Sequence, residues 1–514
     1  MNPNDLIFYQ IYPRSFCDSN GDGEGDVAGI ISKIPYLKEL GVNAVWMSPC
    51  FRSPGVDSGY DISDYRDIDP KTGDLPSFCK MIDAFHEAGI KIILDYVANH
   101  TSTEHPWFLE SKKSKDNPYR DYYIWRETPP NDWLSVFGGS AWEYDETTGE
   151  YYLHSYAVEQ ADLNWENPKV REEMKAVVDF WIDHGVDGFR CDVLDQISKD
   201  FAGINGNGPR LHEFIRELFG REKTKGIFTV GECWSANSDN VKLLCGADRN
   251  ELTTVFTFGH LCLGADKFTT EKPSLASSCR RLAEWQTHCE NIGITNTVFY
   301  ENHDQPRAVS RFGDDKSYRY ESATMIGAIT LLSRGVPFLY QGQELGLTNS
   351  EYSDISMFRD VEILNYYEAN KDSVPHDELF ARICAGGRDN ARHPMPWDDA
   401  PQNDFWIPDY AERAKINAKA DLASEKSVYR TFKALIFLRR TEEALKEGSF
   451  VLRELTDTHF VFSRVTEKEE ITLICNLGVS APCPSYDGEI LLSNYDAVGD
   501  VLSPYQFVVL KKRY

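Results

Sequence analysis

Gly188-Phe-Arg-Cys-Asp-Val193 is a short run that alternates apolar and charged residues and ends on a carboxylate. A strand sends successive side chains to opposite faces, so Arg190 and Asp192 share one face. That sets a cation beside an anion at the strand's end. Two further runs close the same way: Val230-Gly-Glu-Cys-Trp234 presents Glu232, and Tyr300-Glu-Asn-His-Asp304 presents Asp304. A fourth, Asp95-Tyr-Val-Ala-Asn-His100, ends on Asn99 and His100. If these strands are neighbours in one barrel, the three acids converge on one pocket.

Working outward, strand-like runs are expected at 7–11, 44–47, 91–96, 188–193, 227–231, 254–258, 295–300 and 337–340. Amphipathic helical stretches at 27–40, 75–88, 170–184 and 322–332 lie among them. Strands alternating with helices imply a parallel sheet, and this many strands favours a closed (β/α)₈ TIM barrel of the α/β class. Active sites of such barrels lie at the C-terminal ends of the strands, where the three acids fall. Two interruptions break the alternation. Residues 101–172, rich in Trp, Tyr, Pro and Asn, form an inserted small domain after the third strand, because structureless loops of that length are uncommon. The barrel then comprises 1–100 and 173–444, with a long segment from Thr348 to Ser424 after its eighth strand. Residues 445–514 carry alternating runs such as Thr458-His-Phe-Val-Phe462 and are expected to form an antiparallel β-sandwich domain.

The chain has 514 residues, with 81 acidic against 54 basic side chains and a formal net charge of −27. Such a charge repels phosphate backbones and anionic membranes and argues against a nucleic-acid or membrane partner. No apolar run reaches the roughly 18 residues of a membrane span, and the N-terminal stretch lacks a signal-peptide pattern. The 12 cysteines are scattered without metal-binding spacing, which fits reduced thiols of a cytoplasmic protein. The expected assembly is a monomer or weak homo-oligomer.

Paired carboxylates suit glycosidic bond cleavage, in which retaining enzymes hold nucleophile and general acid about 5–5.5 Å apart. Arg190 is expected to keep Asp192 ionised as the nucleophile. Glu232, among apolar groups and other acids, is expected to be the general acid with a raised pKa. Asp304 would bind sugar hydroxyls, Asp95 would orient Arg190, and His100 would donate to a sugar hydroxyl. A Ca²⁺ loop is legible in Asp18-Ser-Asn20-Gly-Asp22-Gly-Glu24-Gly-Asp26, where oxygen ligands alternate with glycines. It lacks the twelfth-position Glu of an EF-hand, and its expected role is structural. No organic cofactor is expected.

The runs DYVANH, GFRCDV, GECW and YENHD resemble, in order, the four signature regions of the α-amylase superfamily of glycoside hydrolases. Gln160-Ala-Asp-Leu-Asn164 resembles its fifth motif, and FYQIYPRSF, DSGYDISDY (57–65) and GRDNARHPMPWD (387–398) extend the likeness across nearly the whole chain. Within it the chain is similar to the oligo-1,6-glucosidase, dextran glucosidase and α-glucosidase group. That resemblance implies a retaining mechanism with Asp192 as nucleophile, Glu232 as acid/base and Asp304 as transition-state stabiliser. It implies substrate contacts from Tyr60, Asp61, His100, Gln160, Arg190 and His303, with Arg388 pairing Asp61 to close the pocket. A closed pocket means exo-action on small α-gluco-oligosaccharides. Phe137 would stack on glucose, and the Glu24 carbonyl would complete the Ca²⁺ shell. Val193 leans the linkage towards α-1,6. The alternatives within the family are an α-1,4-preferring maltase and a sucrose-hydrolysing or transglucosylating enzyme. A non-catalytic binding protein is the distant alternative.

Overall fold

The computed structural model describes residues 2–203, 205–262 and 266–514. Eight parallel strands form one sheet: β1 (Phe8–Ile11), β2 (Ala44–Met47), β3 (Lys91–Val97), β4 (Gly188–Asp192), β5 (Phe228–Glu232), β6 (Thr254–Phe256), β7 (Thr297–Val298) and β8 (Val336–Tyr340). Their spatial order, β6-β5-β4-β3-β2-β1-β8-β7, is that of a (β/α)₈ barrel opened along one seam. Successive strands are separated by α1 (Val27–Leu40), α2 (Leu75–Glu87), α3 (Pro168–Asp183), α4 (Leu211–Phe219), the short α5 (Val241–Cys245), α6 (Leu275–Ile292) and α7 (Arg319–Leu332), and α8 (Val428–Thr441) follows β8. Capping explains several helix starts: Asp26 accepts from the Gly29 amide, and Asp74 and Ser77 form a reciprocal capping box.

Register places the chemistry. In the β3–β4 ladder Arg190 stands beside Asp95, and in the β4–β5 ladder Cys191 stands beside Gly231, one step before Glu232. The strands approach closely here, because a Cβ on Gly188 would lie 1.9 Å from the Phe228 carbonyl oxygen. The seventh strand differs from expectation. Only Thr297 and Val298 join a ladder, with β8 alone. Across the open side, the Thr254 hydroxyl donates to the Thr295 carbonyl (2.8 Å) and the Thr297 hydroxyl to the Val255 carbonyl (3.0 Å). Side chains close that seam where a ladder would otherwise run.

After β3 the chain leaves the barrel through His100–Ser102, which pairs antiparallel with Gln160–Asp162. Between these lies a three-stranded sheet of Trp125–Arg126, Trp142–Asp145 and Glu150–Leu153. Beyond α8, five antiparallel strands, β9 (Ser449–Leu455), β10 (His459–Val465), β11 (Glu469–Asn476), β12 (Glu489–Ser493) and β13 (Phe507–Arg513), form a sheet in the order β9-β10-β11-β13-β12. Phe460, Phe462, Leu473 and Val509 join the barrel's own core. Their neighbours Val461, Ile474 and Val508 pack on the opposite face with Leu502 of a small second sheet. Both faces are covered, which is why β10 and β11 are buried at nearly every position. Among the described residues no helix is long and apolar enough to cross a membrane.

Candidate active site

Arg190 organises the C-terminal end of the barrel. Its Nη1 donates to Asp95 Oδ1 (2.7 Å) and Asp192 Oδ1 (2.6 Å), and its Nη2 donates to Glu232 Oε2. The guanidinium is 2% exposed and lies over the Trp46 ring at 5.0 Å. One buried cation thus joins the two carboxylates at the ends of β4 and β5. Glu232 Oε1 accepts from the Trp234 indole (3.1 Å), and its Oε2 also from the Val193 amide (3.3 Å). Val193 reaches that position with φ +35° and ψ +44°, a left-handed conformation that a β-branched residue adopts at a cost of about 1–2 kcal/mol. Backbone strain next to the expected nucleophile aims an amide at the expected acid.

Burial raises the pKa of both Asp192 and Glu232. Arg190 opposes the rise in each, and neighbouring carboxylates add to it. The direction for Glu232 matches expectation. That for Asp192 does not, because Arg190 is divided among three carboxylates and cannot fully offset the burial of one. A single guanidinium facing Asp95, Asp192 and Glu232 leaves excess negative charge, which favours the protonated form of these carboxyls.

Asp304 sits in the opposite environment. Burial pushes its carboxyl up, but the Arg388 and Arg392 guanidiniums beside it outweigh that and hold the group well below the usual range. Arg388 Nη1 lies 3.1 Å and Arg392 Nη2 3.0 Å from Asp304 Oδ1. His303 is kept neutral by burial, with its pKa lowered to about 3. Gln10 Nε2 faces its Nδ1 at 2.8 Å, which puts the ring proton on Nε2, towards the Tyr60 hydroxyl (2.7 Å) and Asp304 Oδ2 (3.1 Å). Tyr60 in turn donates to Asp95 Oδ2 (3.0 Å). A continuous polar chain therefore runs from Asp304 through His303, Tyr60, Asp95 and Arg190 to Asp192.

These groups surround a cavity of about 470 Å³. Of the residues expected from sequence, Tyr60, His100, Phe137, Asp192, Val193, Glu232, Asp304 and Arg388 line it. Arg190, His303 and Gln160 are a first correction: they lie just behind the lining, each hydrogen-bonded to a side chain that lines it. Gln160 Nε2, for example, reaches Asp57 Oδ2 and His100 Nε2, both at 3.1 Å. Asp61 is a second correction. Its carboxylate turns away from the cavity to accept from Ser53 Oγ and the amides of Val56 and Asp57. The acid facing Arg388 is Asp57 (3.3 Å), which lines the cavity and whose pKa burial raises to about 7 against the pull of Arg388 and Arg392. Both acids belong to DSGYDISDY, and only the loop's path tells them apart. Arg388 also binds Asp360 and Glu362 (3.2 Å) and lies 4.9 Å over the Phe137 ring, closing one end of the cavity. Reasoning from sequence also missed Tyr156, Lys267 and Glu362 in the lining. The last two come from the segments flanking β6 and β8, which carry no strand-end signal.

In the Asp18–Asp26 loop, Asp18, Asn20 and Asp22 each accept a backbone amide two residues on, and Gly21 and Gly23 have positive φ. The Glu24 carboxylate is held by Arg14 (2.9 Å) and Lys71 (2.6 Å), so only its carbonyl remains free for the loop. Asp26 is held by Ser19 and the Gly29 amide. Among the described residues, no group of three or more His, Cys, Asp or Glu side chains is gathered as a metal cluster. The donors present are all hard oxygens, which suits Ca²⁺ over softer ions.

A carboxylate pair on adjacent strand ends of a TIM barrel, with a third acid held ionised by arginines, defines a barrel glycoside hydrolase. Comparison with known proteins agrees. Residues 10–448 match the model of the α-amylase catalytic domain. The chain is 45% identical to an oligo-1,6-glucosidase of Parageobacillus thermoglucosidasius, over 96% of this chain and 94% of that one. It is 39% identical to a trehalose-6-phosphate hydrolase of Bacillus subtilis, over 98% and 97%. Among solved structures, a trehalulose synthase from Pseudomonas mesoacidophila superposes with a TM-score of 0.93 at 35% identity, covering 100% of both chains. The chain belongs to the α-amylase family of glycoside hydrolases.

Proposed function

We propose that this chain is a retaining, exo-acting α-glucosidase. It releases glucose from the non-reducing ends of isomaltose-type and short α-gluco-oligosaccharides, leaning to α-1,6 bonds. The observation that carries this reading is the joining of Asp192 and Glu232 through Arg190, facing a cavity closed at one end by Arg388. Asp192 attacks the anomeric carbon while Glu232 protonates the departing oxygen. Glu232, now ionised, then takes a proton from water as it displaces Asp192. Asp304 stays ionised throughout, stabilising positive charge on the ring. The closed end admits one terminal glucose, which supports exo-action. Proteins named for different substrates are similar to this chain over nearly its whole length, which supports placing the reading of linkage beyond the first glucose. Val193 lines the cavity next to Asp192 in the chain, which supports the α-1,6 lean.

The test is release of p-nitrophenol from its α-glucoside, with Asp192→Asn as blank, followed by kcat/KM on isomaltose against maltose. Wild type is expected to release α-glucose as first product, with activity at least about 10⁴-fold above the variant. Equal activity in both proteins overturns the reading; a preference for maltose or sucrose reassigns only the linkage.

The reading includes a structural Ca²⁺ held by Asp18, Asn20, Asp22, the Glu24 carbonyl and Asp26, whose charge would offset the repulsion among these acids. Chelation is expected to lower the temperature of thermal inactivation with little change in kcat at 25 °C. Unchanged inactivation in verified metal-free protein refutes the site. Twelve unpaired thiols support a reducing, cytoplasmic setting.

A further inference from the structure

Among the described residues, Tyr156 is the one aromatic hydroxyl of the cavity wall that the mechanism above leaves unused. Its backbone is braced on every side. Ser135 Oγ (2.6 Å) and His154 Nδ1 (3.0 Å) face its carbonyl. The preceding Ser155 amide donates to Asp162 Oδ1 (2.9 Å), and the following Ala157 amide to Gln160 Oε1 (2.9 Å). Gln160 is the residue that holds Asp57 and His100, so the same braces fix Tyr156 relative to the closed end of the cavity. The phenol ring lies 5.4 Å from the His100 ring and 5.5 Å edge-on to Phe137. Two cavity-lining rings therefore fix its plane.

The hydroxyl itself is different. The Tyr60 hydroxyl is engaged by His303 and Asp95, whereas that of Tyr156 makes no hydrogen bond to any described residue, although Tyr156 lines the same cavity as Asp192 and Glu232. Tyr156 is only partly buried, so this unpartnered hydroxyl is accessible rather than sealed in the wall. A rigidly held donor facing an oxygen-rich ligand site, which the carboxylate pair also lines, finds its partner in the ligand. The phenol stays protonated at any working pH, because burial and the charges of Glu232 and Asp192 hold its pKa far above the ordinary range.

We infer that the Tyr156 hydroxyl hydrogen-bonds an oxygen of the glucosyl unit, making Tyr156 a substrate-binding residue for the glycone. The inference rests on the α-glucosidase reading. Three features place the contact on the glucosyl unit: the ring's packing on His100 and Phe137, the tie through Gln160 to Asp57, and the closure of that end by Arg388. A neutral hydrogen bond lost without other damage corresponds to about a 3- to 10-fold change. Tyr156→Phe keeps the ring and its packing and removes only the oxygen.

The experiment compares wild type and Tyr156→Phe on p-nitrophenyl α-glucoside and on its 2-, 3-, 4- and 6-deoxy analogues, with thermal inactivation measured alongside. The expected result is a loss of about 3- to 10-fold in kcat/KM that disappears for one deoxy analogue and is the same on isomaltose as on the p-nitrophenyl substrate, with inactivation unchanged. No loss, an equal loss on every analogue, or a loss that depends on the leaving group overturns the inference. Failure of the α-glucosidase reading would look different, as wild type itself would be inactive on all of these substrates.

Discussion

Asp57 and Asp61 share one loop and differ in what they touch. Asp57 faces Arg388 and Gln160 across the cavity, while Asp61 spends its oxygens on Ser53 and two amides of its own loop. Asp57→Asn removes a charge from the glucose-binding end but leaves Arg388 its bonds to Asp360 and Glu362. A charge-assisted bond of about 1.5–3 kcal/mol predicts a loss of about 10- to 100-fold in kcat/KM. Asp61→Asn is expected to cost less activity and more stability. The reverse order in steady-state kinetics would restore Asp61 to the site. The same substitution tests linkage. The Asp57 carboxyl, with an ordinary pKa near 3.8, is raised to about 7 in the fold. A raised folded-state pKa contributes stability that is fully present below the unfolded value and is lost as pH rises through the folded one. Wild type therefore loses this contribution between about pH 4 and pH 7, whereas an Asn does not titrate. Thermal inactivation should show Asp57→Asn gaining on wild type from pH 5 to pH 8; a constant gap refutes the shift. The convergence of Asp192, Glu232 and Asp304 on one cavity was legible because each closes a strand-like run. The choice between Asp57 and Asp61 was not, since both lie in one loop and no periodicity says which turns inward.

At the scale of elements, the barrel was legible wherever strands are buried on both faces. The first four strands were located to within a residue because runs such as Ile92-Ile93-Leu94 pack between barrel interior and helices. The seventh strand was read too long, from Thr295 to Tyr300. Its apolar character is real, as Phe299 and Tyr300 are buried, but burial does not decide which neighbour pairs. Pro337 stands opposite Val298 and has no amide to donate, and the other side closes through Thr254 and Thr297. Thr297→Val is nearly isosteric and removes one seam bond of about 1 kcal/mol. Faster hydrogen exchange is expected in the amides of β6 and β7 than in those of β3 and β4, with the difference widening in the variant. Uniform protection around the barrel, unchanged by the substitution, would show that the hydroxyls do not close the seam.

Across the whole molecule, the C-terminal sheet meets the barrel at two buried arginines that have no acidic partner among the described residues, and Arg464 is the one that reaches from sheet to barrel. Arg439 Nη1 donates to the carbonyls of Leu331 (2.6 Å) and Ser333 (2.8 Å), and Arg464 Nη2 to that of Gly448 (2.7 Å). Both also reach carbonyls at the end of α7, which a helix leaves unpaired and which favour a cation. Burial lowers their pKa values to about 10 and about 9, so both stay charged at neutral pH. Arg464 lies on β10 of the sheet and Arg439 on α8 of the barrel, and both meet at the Ser333 carbonyl. The site lies elsewhere, at the C-terminal ends of the barrel strands. Arg464→Met keeps most of the side-chain volume and removes the donors, leaving the Gly448 carbonyl without its charged partner. The expected cost is about 1–3 kcal/mol per stranded carbonyl. A chain of this size does not satisfy two-state unfolding, so the readout is the rate of thermal inactivation. Inactivation should accelerate about 10-fold or more, while KM for p-nitrophenyl α-glucoside at 25 °C stays unchanged. A changed KM with unaltered inactivation would mean that the sheet bears on the pocket and that these arginines are not what fastens it.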